Sequence, residues 1–103
     1  MSLFELTDGQ ILNFPRRLFE TFTQFAYRHS KQSGFAAEIE HIYLVNWQVI
    51  CINNIPQSLH SEFIDMLEQF EAAISEDPKI TDVRTAGKLV NTVLKDLKRH
   101  GYA

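Results

Sequence analysis

The fold of this chain depends on residues 35–54, which read FAAEIEHIYLVNWQVICINN. Every second position in the middle of this stretch is apolar or aromatic, namely Tyr43, Val45, Trp47, Val49 and Cys51. Such alternation, together with frequent β-branched residues, is typical of a β-strand. Drawn as a helix, the same stretch scatters its polar residues around every face. The local pattern therefore favours a strand.

A strand in this stretch needs hydrogen-bonding partners elsewhere in the chain. Only residues 3–6, and less clearly residues 11–14, have a composition that suits pairing with it. A central helix that other helices surround needs no such partner, and it would be apolar on most sides. We therefore predict an all-α fold, a compact bundle of about four helices. The alternative is an α+β fold with a small sheet that includes residues 42–52.

Three other segments carry apolar residues at spacings of three and four, the pattern of an amphipathic helix. The stripes consist of Ile11, Phe14, Leu18, Phe22, Phe25 and Ala26; of Leu59, Phe63, Met66, Leu67, Phe70 and Ile74; and of Val83, Ala86, Val90, Val93, Leu94 and Leu97. Pro15 lies inside the first stripe, where it either kinks one long helix or opens a second helix as its first residue. Thr81 is the predicted cap of the last helix.

The length and composition predict one small domain spanning residues 1–103. Apolar residues make up 45% of the chain, which is enough for a hydrophobic core. Residues 1–10 contain Glu5 and Asp8 and no basic segment, unlike a secretory signal. No apolar run is long enough to cross a bilayer. We therefore expect a cytoplasmic protein that has no membrane partner.

Charge is unevenly distributed along the chain, although the net charge is only −3. Residues 33–78 contain eight acidic residues and no lysine or arginine, whereas residues 79–103 contain six basic residues and two acidic ones. Glu62, Asp65, Glu68 and Glu71 recur every three residues, so they line one side of the predicted helix; we name them the acidic strip. Glu38 and Glu40 are predicted to support it.

The acidic strip has two interpretations. It either neutralises the basic last helix, in which case each exposed pair contributes about 0–1 kcal/mol, or it attracts a basic partner. Complementary charge raises the rate of association and selects between partners. The second interpretation makes the strip the predicted binding surface.

Catalytic and metal-binding motifs are not evident in the sequence. The four glycines are isolated, so there is no phosphate-binding loop, and no pair of Cys or His residues has zinc spacing. Glu38 and His41 have the spacing of a di-iron ligand pair, but such a site needs two of these pairs and further carboxylates. The apolar neighbours of the single cysteine, Cys51, predict an unreactive thiol. We therefore expect a protein that is not an enzyme and needs no metal or cofactor.

These features together predict a small protein that acts by binding another protein. The specific hypothesis is an inhibitor or immunity-type protein whose acidic surface blocks a basic partner such as a nuclease toxin. The acidic middle of the chain disfavours nucleic-acid binding. Two alternatives stay open: a DNA-binding regulator that uses Arg84, Lys88 and Lys95 on the last helix, and a structural module that forms a homo-oligomer through its aromatic residues.

Overall fold

The computed structural model describes residues 2–32, 34–46, 48–78, 80 and 82–99. Within them the chain forms, in order, β1 (Ser2–Glu5), β2 (Ile11–Phe14), α1 (Arg16–His29), α2 (Phe35–Val45), β3 (Val49–Cys51), α3 (His60–Ala73) and α4 (Val83–Arg99). Short 3-10 helices, Ile52–Asn54 and Gln57–Leu59, precede α3, and Ile74–Glu76 follows it. The described part of the chain is therefore mostly helical, with a small sheet, and the fold is α+β.

The sheet has the strand order β2-β1-β3. The central strand β1 pairs with β2 in antiparallel fashion, with Leu3 opposite Asn13, and with β3 in parallel, with Phe4 opposite Ile50. The prediction of an all-α bundle is wrong, because the two segments with a composition suited to pairing do pair. The α+β alternative describes the fold.

Residues 42–52 divide between a helix and a strand. They begin in the last turn of α2 and end in β3, and a turn at Asn46 and Gln48 separates the two elements. Gln48 has a φ of 64°, a left-handed conformation in the turn that follows the helix. Its backbone N–H donates to the Tyr43 carbonyl at 2.8 Å, while the Asn46 side chain donates to the Val49 carbonyl at 3.1 Å. Trp47 lies outside the described residues.

The first helix begins later than the apolar stripe predicts. Ile11 and Phe14 belong to β2, and Pro15 immediately precedes the first residue of α1. Phe14 is only 2% exposed, and its ring lies 4.8 Å from that of Phe4 on β1. This contact explains the difference, because the spacing from Ile11 to Phe14 also suits a strand whose last residue enters the core.

Phenylalanine rings join the sheet to the helices. Phe63 on α3 is fully buried, and its ring centroid lies 6.5 Å from Phe4, 6.0 Å from Phe22 and 6.2 Å from Phe35. These neighbours belong to β1, α1 and α2 respectively. Phe63 therefore connects four elements of the core.

The last helix is fixed at both ends by carboxylates. Near its start, Asp82 accepts hydrogen bonds from the backbone N–H and the hydroxyl of Thr85, at 3.1 and 2.7 Å. These bonds lower the pKa of Asp82 and are typical of a helix cap; the predicted cap, Thr81, lies outside the described residues. Near the other end, Asp96 is buried and accepts from the N–H and hydroxyl of Thr7, at 3.0 and 2.9 Å. The second contact ties the β1–β2 turn to α4.

Candidate protein-binding surface

The acidic strip lies on α3 as predicted, but its four carboxylates have different surroundings. Glu68 is half exposed, and Glu62, Asp65 and Glu71 are partly buried. Successive members, three residues apart, turn by about 60° around the helix axis. The strip therefore crosses the outer face of α3 diagonally, with Glu62 and Glu71 at opposite margins.

Glu62 braces the connection between α1 and α2. Its carboxylate accepts a hydrogen bond from the Ser30 hydroxyl and bonds from the backbone N–H groups of Lys31 and Gln32, at 2.8 and 3.1 Å. Partial burial opposes ionisation, but the bonds from Ser30, Gln32 and Lys31 outweigh it and lower the pKa of Glu62. This carboxylate satisfies the backbone of the loop after α1, so its first role is internal.

The substitution Glu62→Gln is expected to lower the free energy of unfolding by about 1–2 kcal/mol at pH 7, because it weakens charge-assisted hydrogen bonds. Since the folded state lowers this pKa, the stabilisation is complete above the ordinary value of 4.5 and is lost as the pH falls through the lower folded value. Urea unfolding at pH 7 and at about pH 3 measures the difference. The matched control is Glu76→Gln, which removes an exposed acid. Equal stability of wild type and Glu62→Gln at pH 7 would contradict the brace.

The other three members of the strip make fewer contacts with the rest of the protein. Glu68 forms an ion pair with Lys98 on α4 at 3.2 Å, and both side chains are about half exposed. Asp65 accepts a hydrogen bond from Gln69 at 3.0 Å. Within the described residues, neither Asp65 nor Glu71 has an ion-pair partner. The basic last helix therefore neutralises one position of the strip and leaves two negative charges on α3 uncompensated.

Glu38 and Glu40 lie on α2, and they face different surroundings. Glu38 is exposed in the first turn of the helix, where the helix dipole favours a negative charge. Glu40 accepts a hydrogen bond from the hydroxyl of Tyr27 on α1 at 3.1 Å. That bond raises the pKa of Tyr27. Of the two predicted supporting residues, Glu40 thus belongs to a surface shared by α1 and α2.

A groove of about 290 Å³ runs between α1 and α2. Its floor includes the buried rings of Phe19 and Tyr43, which stack with centroids 3.9 Å apart. Tyr27 and Leu44 stand at its walls and are 54% and 62% exposed. We name it the α1–α2 groove; it is lined by Arg16, Phe19, Glu20, Thr23, Gln24, Tyr27, Glu40, Tyr43, Leu44 and Gln48. It combines exposed apolar side chains with the carboxylate of Glu40 and with the ion pair of Arg16 and Glu20, whose atoms lie 3.1 Å apart.

In comparisons with known proteins, no family model, curated protein or solved structure matches the chain. The groove and the strip must therefore be interpreted from their own chemistry.

Exposed apolar residues at the end of α2 are the feature that sequence reasoning missed. Leu44 and the adjacent Val45 are 62% and 64% exposed, yet both belong to the most apolar stretch of the chain. The helical spacing of α2 identifies them as exposed, because its buried residues form one stripe of Phe35, Ala36, Ile39 and Tyr43. Leu44 and Val45 fall outside that stripe, and a helix that ends at residue 45 leaves them facing outward.

Two further titratable groups, Cys51 and His60, have structural partners. The Cys51 thiol lies 3.3 Å from a carboxylate oxygen of Glu5 on the neighbouring strand, and burial, followed by this bond, raises the pKa of Cys51. The buried ring of His60 contacts the Ile55 carbonyl at 2.9 Å. Across the described ranges, no group of three or more His, Cys, Asp or Glu residues is arranged to hold a metal ion. None of the described helices combines the length and apolar character needed to cross a bilayer.

Proposed function

We propose that this protein is a binding module that holds a basic protein partner in the α1–α2 groove. The observation that carries the proposal is the exposure of Tyr27 and Leu44 beside Glu40 in one groove. Large apolar side chains that stay exposed next to a concave surface are typical of partner sites, and aromatic residues are frequent among those that dominate binding energy. The groove supplies the apolar contacts.

The negative charge outside the groove supports a basic partner. Asp65, Glu71 and Glu38 lie on α3 and α2, in the part of the chain that contains no lysine or arginine. Their field attracts a positively charged protein and raises the association rate. Salt screens charges at the protein surface over about 8–10 Å, so affinity is expected to fall as ionic strength rises.

The specific form of the proposal is an inhibitor or immunity-type protein. A nuclease toxin has a basic cleft that binds phosphate, and carboxylates can occupy that cleft in place of the phosphates. This role requires binding and exclusion only, since the inhibitor acts by covering the partner's site. It calls for exposed acids on a stable scaffold, and Glu62 contributes to the scaffold by bracing the loop after α1.

Photo-crosslinking from the α1–α2 groove can identify the proposed partner. A photo-crosslinking amino acid at position 44, introduced into the full chain, is expected to capture a basic protein from the host cell. The same group at position 11 serves as control, because Ile11 is similarly exposed, at 52%, and lies on β2. Capture of a second copy of this chain from position 44 would instead indicate a self-associating module.

The purified partner then allows a quantitative test. The substitution Leu44→Ala is expected to weaken binding by about 1–3 kcal/mol, or roughly 5- to 150-fold. Charge reversal of Asp65 and Glu71 to Lys is expected to slow association and to reduce the salt dependence; Glu62 is left intact because it supports the fold. Calorimetry and stopped-flow mixing measure the two effects. An affinity unchanged in both variants, or a partner with no net positive charge, would refute the proposal.

A further inference from the structure

The outer face of α4 carries basic charge only. Arg84, Lys88, Lys95 and Arg99 are all exposed. At about 100° per residue they project within an arc of roughly 60°, and they extend over about 22 Å of helix. We name these four residues the basic stripe. They form a straight row of positive charges on a single rigid element.

Two acidic residues, Asp82 and Asp96, lie close to this row in the sequence. Asp96 is the one acidic residue of α4; it is buried, it is hydrogen-bonded to Thr7, and it lies about 90° around the helix from the centre of the stripe. Lys98 lies beside the stripe, and its ammonium group forms an ion pair with Glu68. Among the described residues, no member of the stripe itself has an ion-pair partner. The positive charge is therefore available to a ligand.

The stripe also works against the stability of its own helix. Arg84 and Lys88, like Lys95 and Arg99, are like charges separated by four residues, a spacing at which repulsion destabilises a helix. Solvated helix faces usually mix the two signs. Asp82, at the start of the helix, exerts an attraction on Arg84, but its carboxylate is hydrogen-bonded to Thr85. A bound polyanion would relieve the repulsion along the whole row.

The residues around the stripe favour duplex nucleic acid over a lipid surface or a single strand. The apolar face of α4 packs in the core through residues such as Val90, Val93 and Leu97, so the helix cannot lay an apolar face into a lipid surface. The residues of α4 include no aromatic side chain on which an unpaired base could stack. Duplex DNA presents about one negative charge per 1.7 Å of its axis. A row of cations about 22 Å long can therefore contact several phosphates at once.

We propose that the basic stripe binds the phosphate backbone of duplex nucleic acid without reading its base sequence. The acids of α2 and α3 do not prevent this, because their repulsion is screened beyond about 8–10 Å at physiological salt. They do limit the strength of binding. The expected dissociation constant is that of non-specific binding, about 10⁻⁴–10⁻⁶ M. The inference is independent of the proposed function, since it uses another helix and other residues.

Fluorescence anisotropy of a labelled duplex of about 20 base pairs and arbitrary sequence tests the stripe with the full chain. Four phosphate contacts predict a slope of log affinity against log salt of about −3 to −4, or roughly a 100-fold loss between about 50 and 200 mM salt. The triple variant Arg84→Gln, Lys88→Gln, Lys95→Gln is expected to bring this slope to about −1 and to weaken binding at least ~10-fold.

A second triple variant controls for net charge. Arg17→Gln, Arg28→Gln, Lys31→Gln removes the same charge from exposed positions in and after α1, and it is expected to change affinity less than ~3-fold. The stripe variant is expected to melt at the wild-type temperature or above, because it relieves like-charge repulsion. Absence of duplex binding by the wild type at low salt, or equal losses in both triple variants, would overturn the proposal.

Discussion

Replacement of Phe63 by alanine is expected to lower the free energy of unfolding by about 3–5 kcal/mol, the cost of truncating a fully buried phenylalanine. The ring has no exposure and lies against Phe4, Phe22 and Phe35. Its removal leaves a cavity where a strand and three helices meet, so no single element can move to fill it. Since small domains are stable by only about 5–15 kcal/mol, a large part of the total is lost.

Urea denaturation followed by circular dichroism measures this change. Phe63→Leu keeps most of the volume and is expected to cost about 1 kcal/mol. Leu44→Ala truncates a side chain that is 62% exposed and is expected to stay within about 0.5 kcal/mol of wild type. The same control shows that a loss of partner binding in Leu44→Ala does not arise from unfolding. A loss below ~1 kcal/mol in Phe63→Ala would contradict the packing described for the core.

The small sheet shows what could be predicted from the sequence and what could not. The composition of residues 3–6 and 11–14 identified them as the possible partners of a strand, and β1 and β2 occupy those segments. The alternation from Tyr43 to Cys51 predicts a strand, but its first two residues, Tyr43 and Val45, belong to the last turn of α2. The left-handed turn at Gln48 separates the two elements, and a residue other than glycine gives no signal for such a turn.

The acidic strip shows a similar limit for the candidate site. A spacing of three residues makes successive members of the strip neighbours on a helix, with Glu62 and Glu71 at opposite margins of its outer face. It does not reveal what approaches that face. The loop after α1 brings the hydroxyl of Ser30 and two backbone N–H groups to Glu62, and this contact depends on an element that is 30 residues away in the sequence. The sequence does not show which backbone donors a loop leaves unpaired within the fold, and only the folded structure shows that Glu62 accepts from two of them.

The substitution Asp96→Ala is expected to lower the free energy of unfolding by about 2–4 kcal/mol. Asp96 is 4% exposed and accepts two hydrogen bonds from Thr7, which is 89 residues away in the chain. Hydrogen bonds to a charged group contribute about 1.5–3 kcal/mol, and a partly buried donor that loses its acceptor adds a desolvation cost. The truncation leaves the backbone N–H of Thr7 without this acceptor and releases the β1–β2 turn from α4.

A double-mutant cycle isolates the contact from the other surroundings of Asp96. Thr7→Val removes the hydroxyl bond and keeps the backbone N–H, so it is expected to cost about 1–2 kcal/mol. If the contact ties the turn to α4, Asp96→Ala together with Thr7→Val costs less than the sum of the single changes, with a coupling of about 1 kcal/mol. Hydrogen exchange of the β1 and β2 amides is expected to speed up in Asp96→Ala, because the released turn lets the strand pair open locally. Strict additivity with unchanged exchange would show that Asp96 stabilises α4 alone, and the sheet would then depend on its phenylalanine contacts for its attachment to the helices.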